Sequence, residues 1–381
     1  MRIVHLCLSC FYIDGYSYQE NIIPYFNKKE GHDVLIIAST ETYLSQNQLG
    51  YTTPRTYSNE YGIPVIRIEY MNILPHFIMR KLRIHNKIYK LLETFHPDVI
   101  MFHGLCGWEL ITVARYKKKF QKVRVYADSH EDKNNSARGF ISRYILHGIY
   151  YRMILKAVLP YLEKILYVSL ESEEFIRKVY GIPNKYMEFY PLGGYVYSDN
   201  KYIQKREEFR KRLNSSSGDI IIIQAGKLDS KKKVLESIRA FSKIKSTSMK
   251  LILIGSVDGE ISEDFNSLLR KDPRVNYIGW KKSEELMGYL CAADVYLQPG
   301  SQSAIMQNAL CLRCPVILDD VLSHQAYIND NGWLINRKMT LYHILNEIAD
   351  NPNQLNIMAE KSLELARKML DYRKLARKIC S

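Results

Sequence analysis

The sequence predicts an α/β protein of two doubly wound, Rossmann-like domains facing a central cleft. Short apolar runs alternate with longer amphipathic stretches, which is the pattern of βαβ units on a parallel sheet. The pattern restarts after a linker rich in glycine and serine. The length, 381 residues, suits two domains of ordinary size.

In the first half the expected strands are Ile3–Leu8, Val34–Ser39, Val65–Glu69, Val99–His103, Val123–Asp128 and Ile165–Ser169, with helices over Gln19–Lys29, Pro75–Phe95 and Arg138–Glu163. The linker spans Pro191–Gly218, where Gly193-Gly194 and Ser215-Ser216-Ser217-Gly218 bracket a charged helical segment, Lys205–Leu213. In the second half the strands are Ile220–Ala225, Leu251–Ile254, Val275–Ile278, Val295–Gln298 and Val316–Leu318, separated by helices Lys233–Lys245, Glu260–Arg270 and Ser283–Ala292. The tail Pro352–Ile379 reads as one long helix. The expected domains are 1–196, 197–362 and a closing helix, 363–381, that packs back on the first domain. Open α/β sheets bind ligands beyond the carboxyl ends of their strands, so site residues are sought there.

Composition narrows the partners. Lys plus Arg is 54 against 40 Asp plus Glu, a net charge of +14. Such an excess favours nucleic acid, acidic membranes or phosphorylated substrates. No zinc spacing, RNP-type motif or basic region with heptads supports nucleic acid. The seven cysteines lie mostly in apolar runs and read as reduced, buried thiols of a cytoplasmic protein. The first residues are too short for a signal peptide's apolar core. The most apolar long segment, Phe140–Leu162, is broken by Arg143, His147, Arg152 and Lys156, so no membrane span is expected.

Several strand ends carry residues suited to chemistry. Gly15, followed by Tyr16, lies between the first strand and a helix, where backbone can approach an anion. The dinucleotide fingerprint G-x-G-x-x-G is absent. His103 and His130 each follow a strand of the first half. The carboxylates Asp128, Glu131 and Asp132 beside His130 lack a second acidic cluster and suit a hydrogen-bonded turn better than a metal. Gly226-Lys227, with Lys231, Lys232 and Lys233 after it, places cations at a strand–helix turn, where they suit a diphosphate or a solvated loop. Pro299-Gly300-Ser301-Gln302-Ser303 opens a helix and offers backbone N–H groups to phosphate oxygens. Gln307 and Asn308 follow one turn later, placed to reach sugar hydroxyls or to form a polar helix face. Asp319-Asp320 suits a metal-bound carboxylate pair, but a tight turn after Val316–Leu318 explains it as well, so the pair is not counted among the site residues.

A resemblance spans nearly the whole chain. Its marks are Gly31-His32-Asp33-Val34, Pro97-Asp98-Val99 leading to His103-Gly104, Pro191-Leu192-Gly193, and Gly226-Lys227-Leu228 with Lys232. They continue with Ile254-Gly255, Ile278-Gly279-Trp280, Ala293-Asp294-Val295 before Pro299, and Cys314-Pro315-Val316-Ile317. In this order the chain resembles a GT-B fold glycosyltransferase of family 4, the group that includes bacterial surface-polysaccharide and lipid-glycan transferases. The resemblance implies a nucleotide-sugar donor, a UDP-sugar favoured, bound mainly by the second domain. Lys227 and Lys232 match the family's cations on the diphosphate, and Gly15 matches its first-domain glycine loop. His130 best matches the histidine near the transferred sugar, with His103 second. Gly279-Trp280-Lys281 matches the segment that holds the base, and Tyr16 and His103 would lie on the acceptor side.

One departure is large. The family often carries two glutamates eight apart between the equivalents of Pro299 and Pro315, and this sequence has none there. Asn308 aligns with the second, with Gln307 beside it; a neutral amide can still bind ribose hydroxyls. The implied reaction retains anomeric configuration, with the leaving diphosphate stabilised electrostatically and no obligatory metal or other cofactor. The implied acceptor is a glycan or lipid-linked glycan. Two basic, apolar helices of the first half, from Phe77 to Lys90 and over Arg138–Lys156, suit an anionic membrane surface. The competing readings are a GT-B phosphorylase or epimerase, and a non-catalytic scaffold of glycosyltransferase shape.

Overall fold

Unbroken runs of buried apolar residues define the central strands of a computed structural model that describes residues 1–45, 48–300 and 302–380. The chain divides into two units, Met1–Pro191 with Tyr372–Ser381, and Leu192–Asp371.

The strands of the first unit are β1 (Arg2–Cys7), β2 (Asp33–Ser39), β3 (Glu41–Ser45), β4 (Gln48–Tyr51), β5 (Arg55–Ser58), β6 (Pro64–Ile68), β7 (Val99–Phe102), β8 (Arg124–Ser129), β9 (Lys164–Tyr167) and β10 (Met187–Phe189). An eight-stranded sheet runs in the order β10-β9-β8-β7-β1-β2-β6-β5. It is parallel except at its edge, where β5 runs antiparallel to β6. The central strands are apolar on both faces because helices cover both; β7 and all of β1 after Arg2 are buried. The hairpin β3–β4 stands apart from this sheet.

The stretch 75–95 is two helices, His76–Leu82 and Ile88–Phe95, rather than one. Arg83 and Lys87 take left-handed backbone, φ +53° and +66°. Between them His85 bridges to Tyr70, and the Met71 N–H donates to the Ile84 carbonyl at 2.9 Å. These long-range backbone bonds override a helical apolar spacing. Of the helix expected over Arg138–Glu163, the stretch 141–158 forms, as π-helical Ile141–Tyr151 followed by α-helical Arg152–Val158.

The second unit holds β11 (Ile220–Leu228), β12 (Met249–Val257), β13 (Val275–Tyr277), β14 (Val295–Gln298), β15 (Val316–Asp319) and β16 (Gly332–Ile335). They form a parallel sheet in the order β13-β12-β11-β14-β15-β16. Numbered within this unit, the order is the 3-2-1-4-5-6 of a dinucleotide-binding fold, with the ligand crevice where the order reverses. Here the reversal falls between β11 and β14.

The tail also differs from the single helix expected. Gln354–Met369 packs on Ala304–Cys311 in the second unit, whereas Tyr372–Lys378 packs on Gln19–Lys29 in the first. The break falls at 370–371, where the Gly194 N–H donates to the Leu370 carbonyl at 2.8 Å and Gly194 bridges to Asp371. The first unit therefore ends at Pro191 rather than 196, and the return starts at Tyr372 rather than 363. The returning helix is held by Asn27 Nδ2 donating to the Ala376 carbonyl (3.0 Å) and Tyr190 OH to that of Leu375 (2.9 Å). All seven cysteines are free thiols, five of them buried. Among the described residues, no helix is long and apolar enough to cross a membrane.

Candidate functional site

At the reversal between β11 and β14, backbone comes unusually close to backbone. A Cβ on Gly300, after β14, would lie 2.3 Å from the carbonyl oxygen of Lys231, after β11; on the other side of β11, one on Gly255 of β12 would lie 1.7 Å from that of Gly226. Gly300 also has left-handed φ, +87°. Gly300 lets the loops after β11 and β14 touch, Gly226 and Gly255 let β11 and β12 run close at their ends, and all three leave main chain bare there.

Asp319, at the end of β15, ties the two loops together. Its Oδ2 accepts the Gly300 N–H at 2.9 Å and the Lys233 ammonium at 2.6 Å. Lys232 is fixed through its backbone: its N–H donates to Asp229 Oδ1 (2.9 Å), and its carbonyl accepts from Gln224 Nε2 (2.8 Å). Burial lowers the Lys232 ammonium to about 8, against the opposing pull of Asp229 and Asp319. A partly desolvated cation on a rigid loop suits an anionic ligand. The motif reading missed Asp319; its place at a strand end next to β14 was the available signal.

The other expected residues of this unit divide. Lys227 is exposed and reaches Asp258 Oδ2 at 3.1 Å, a bond that raises its ammonium above the usual value. Ser303 caps the helix Ala304–Cys311, accepting the Met306 N–H at 3.2 Å and donating to Gln298 Oε1 at 3.1 Å. Gln302 Oε1 accepts from Tyr327 OH at 3.2 Å. Ser301 lies outside the described residues. The Gly279 carbonyl accepts the Gly255 N–H at 3.0 Å, and Trp280 beside it is 67% exposed.

Gln307 and Asn308 do not form an open polar face. Gln307 is fully buried; its Oε1 accepts the Gly193 N–H and its Nε2 donates to Tyr327 OH, both at 2.8 Å. Asn308 Oδ1 accepts the Tyr195 N–H at 3.1 Å, and its Nδ2 donates to the Ala304 carbonyl at 2.9 Å. These amides pin the segment 193–195 to the helix, so the expectation that they reach a sugar is corrected.

In the first unit, β7 and β8 bring His103 and His130 to one carboxylate. His103 Nδ1 lies 2.6 Å from Asp128 Oδ2, and His130 Nε2 lies 3.9 Å from Asp128 Oδ1. Asp128 Oδ1 also accepts the Gly104 N–H at 2.7 Å. Burial alone would lower the His103 imidazole, but the Asp128 charge outweighs it and raises the group to about 10. Burial would raise Asp128, and His103 holds it below its usual value.

His103 Nε2 in turn lies 3.0 Å from His5 Nδ1, and His5 Nε2 lies 3.0 Å from Asn27 Oδ1. Burial, with His103 adding to it, lowers His5 to about 3. One protonation pattern satisfies the series: charged His103 donates at both nitrogens, and neutral His5 accepts at Nδ1 and donates from Nε2. With Asn27 bonded to Ala376, a buried polar line joins Asp128 to the C-terminal helix. His103 is therefore a core ion-pair partner, while His130 Nε2 has no hydrogen-bond partner. His5 went unread because it sits inside an apolar strand. The Gly15 N–H donates to Glu60 Oε1 at 3.3 Å; the Tyr16 ring meets those of Tyr18 and Tyr43 at a tilt. Among the described residues, no cluster of His, Cys, Asp and Glu could hold a metal ion.

Residues 205–364, all within the second unit, match the family model described as glycosyl transferases group 1. The whole chain is similar in fold to a sucrose-phosphate synthase from Thermosynechococcus elongatus (TM-score 0.66, 15% identity, 100% of this chain and 97% of that one). It is similar also to HepE of Anabaena in complex with UDP (TM-score 0.67, 13% identity, 100% and 98%). A third is WaaG, a glycosyltransferase involved in lipopolysaccharide biosynthesis (TM-score 0.60, 16% identity, 99% and 99%). The fold is thus the GT-B fold, with two Rossmann-like domains. No curated protein sequence matches the chain.

Proposed function

We propose that the chain is a retaining glycosyltransferase that moves a hexosyl or N-acetylhexosaminyl group from a nucleotide sugar, a UDP-sugar favoured, to a hydroxyl of a lipid-linked or growing surface polysaccharide. The observation that carries the proposal is the cradle at the β11–β14 reversal. Bare backbone at Gly226 and Gly300 stands there beside the partly desolvated Lys232, with Gly255 of β12 next to Gly226, and the group 1 match also falls in this unit. The choice of UDP leans on the fold likeness to HepE, whose structure contains UDP.

In this function Lys232, with Lys227 at the rim, stabilises charge as the diphosphate leaves, and the amides of the 299–303 loop add hydrogen bonds. Gly279 and Trp280 receive the base. His130, whose Nε2 lacks a partner, acts at the transferred sugar. The lysines and amides neutralise the diphosphate, so the proposal includes no obligatory metal.

The acceptor class leans on a surface of the first unit. Phe140, Ile141, Tyr144, Ile145, Ile149 and Met153 are exposed along the helical stretch 141–158. Consecutive members lie one, three or four residues apart, and the Phe140 and Tyr144 rings meet at 4.8 Å between centroids. Arg143, Arg152 and Lys156 lie among them, worth about 1 kcal/mol per basic residue against an anionic bilayer. A cytoplasmic protein docked on the inner face of the cell membrane accounts for both features. A thermal-shift screen of nucleotide sugars tests the donor: a saturable rise with one base and sugar is expected, and no rise with any of them overturns the proposal. Flotation with liposomes tests docking; equal recovery with and without anionic lipid overturns it.

A further inference from the structure

A cavity of about 550 Å³ opens in the first unit, walled partly by Gly139, Ser142 and Leu146 of the segment that carries the exposed apolar face. Four cations line it, Arg80, Lys81, Arg83 and Arg138, against two carboxylates, Glu41 and Glu131. Both carboxylates already accept hydrogen bonds. Glu131 Oε1 takes the Leu105 N–H at 3.3 Å and the Cys106 thiol at 3.2 Å, and its Oε2 takes the Ser129 hydroxyl. Glu41 Oε1 takes the Tyr51 hydroxyl at 3.3 Å. Among the described residues, none of the four cations is in an ion pair.

Arg83 is the unusual member. Its Nη1 is shut off from water and has no hydrogen-bond partner. A buried guanidinium donor left unmade is costly, and an anion would satisfy it. Its backbone is held left-handed at φ +53° by the N–H donating to the Met79 carbonyl at 2.7 Å. The planar fork of arginine matches phosphate oxygens two at a time.

We propose that this cavity binds a phosphate group carried by the acceptor, a proposal that rests on the transferase function above and narrows its acceptor to a phosphorylated one. The phosphate is that of a lipid headgroup or of a soluble phosphorylated glycan. The apolar face beside the cavity suits the lipid headgroup, and the cations serve either.

The test titrates the full chain with inorganic phosphate at constant ionic strength, after saturation with UDP so that the second unit's cradle is filled. A saturable rise in melting temperature is expected, weakened roughly tenfold or more in Arg83→Gln and in the solvent-exposed Arg138→Gln, and retained in Lys232→Ala. In a second arm, phosphatidylcholine vesicles containing phosphatidic acid are compared with vesicles matched in charge by phosphatidylglycerol. Preference for phosphatidic acid, lost in Arg138→Gln, assigns a lipid source; phosphate binding without that preference assigns a soluble one. Unchanged phosphate affinity in both arginine variants overturns the proposal. Failure of UDP to bind would refute the donor assignment, while the phosphate titration would still report on the cavity.

Discussion

Gly300 and Lys231 meet so closely that a side chain on the glycine would strike the lysine carbonyl oxygen at 2.3 Å. Gly300→Ala must therefore push the β14 loop away from the β11 loop, at a cost of about 1–3 kcal/mol for the strained backbone alone. UDP binding by calorimetry should weaken about tenfold, with a lower melting temperature. Wild-type UDP affinity in this variant would remove Gly300 from the cradle.

Lys232→Ala should lower transfer strongly. A hydrogen bond to a charged group is worth about 1.5–3 kcal/mol, or about 10- to 150-fold in rate at 1.4 kcal/mol per decade. Initial rates with the donor found in the screen measure this. Near-normal turnover would sink the role given to Lys232.

The same lysine gives UDP binding a pH dependence. Its ammonium titrates at about 8, and a bound diphosphate favours the charged form. Affinity should thus be level on the acid side of 8 and fall as pH rises through it, with proton uptake on binding above that point. In Lys232→Ala this slope should vanish. A slope that survives the substitution belongs to another group.

The His103–Asp128 pair should act on stability in the opposite pH direction from an ordinary carboxylate pair. The imidazole is raised from 6.5 to about 10 in the folded state. Its contribution is fully present below 6.5 and is lost as pH rises to about 10. The difference in urea midpoint between wild type and His103→Gln should therefore shrink across that interval. His5 works the other way. Its folded value of about 3 removes stability as pH falls below 6.5, where the unfolded imidazole takes up a proton. A wild-type-minus-variant difference that grows from neutral to alkaline pH would contradict the ion pair.

Gln307→Ala separates a structural amide from a ribose ligand. It strands the buried Gly193 N–H, a loss of about 1–3 kcal/mol readable by chemical denaturation. UDP affinity should stay within a factor of two or so, because the amide is already committed. A large loss of affinity with unchanged stability would restore the ribose role.

The central strands of both sheets were legible because unbroken apolar runs have few other uses; β14 was read to the residue, and β1, β2, β7 and β15 within one or two. The edge strands β5, β10 and β16 and the hairpin β3–β4 escaped, since short half-exposed strands carry no such run. Two helices were read too long because the break between Leu82 and Ile88 goes with the Tyr70–His85 and Met71–Ile84 backbone contacts and the break at Leu370 with Gly194, distant partners that spacing does not encode. In the site, glycines and lysines at strand ends could be read from position alone. Asp319 could not, because its role depends on two loops meeting it from elsewhere in the sheet. Gln307 and Asn308 were misread for the same reason: their partners, Gly193, Tyr195 and Tyr327, lie outside their own helix.

The closing helix Tyr372–Lys378 has a consequence for how the protein is made. The residues that complete the first unit leave the ribosome only after the whole of 192–371. Until then Asn27 lacks its Ala376 acceptor and Tyr190 its Leu375 acceptor. Domains usually mature from the amino end during synthesis. In this chain the second unit can finish first, and the amino-terminal one must wait, open along one helix, until Tyr372–Lys378 has emerged.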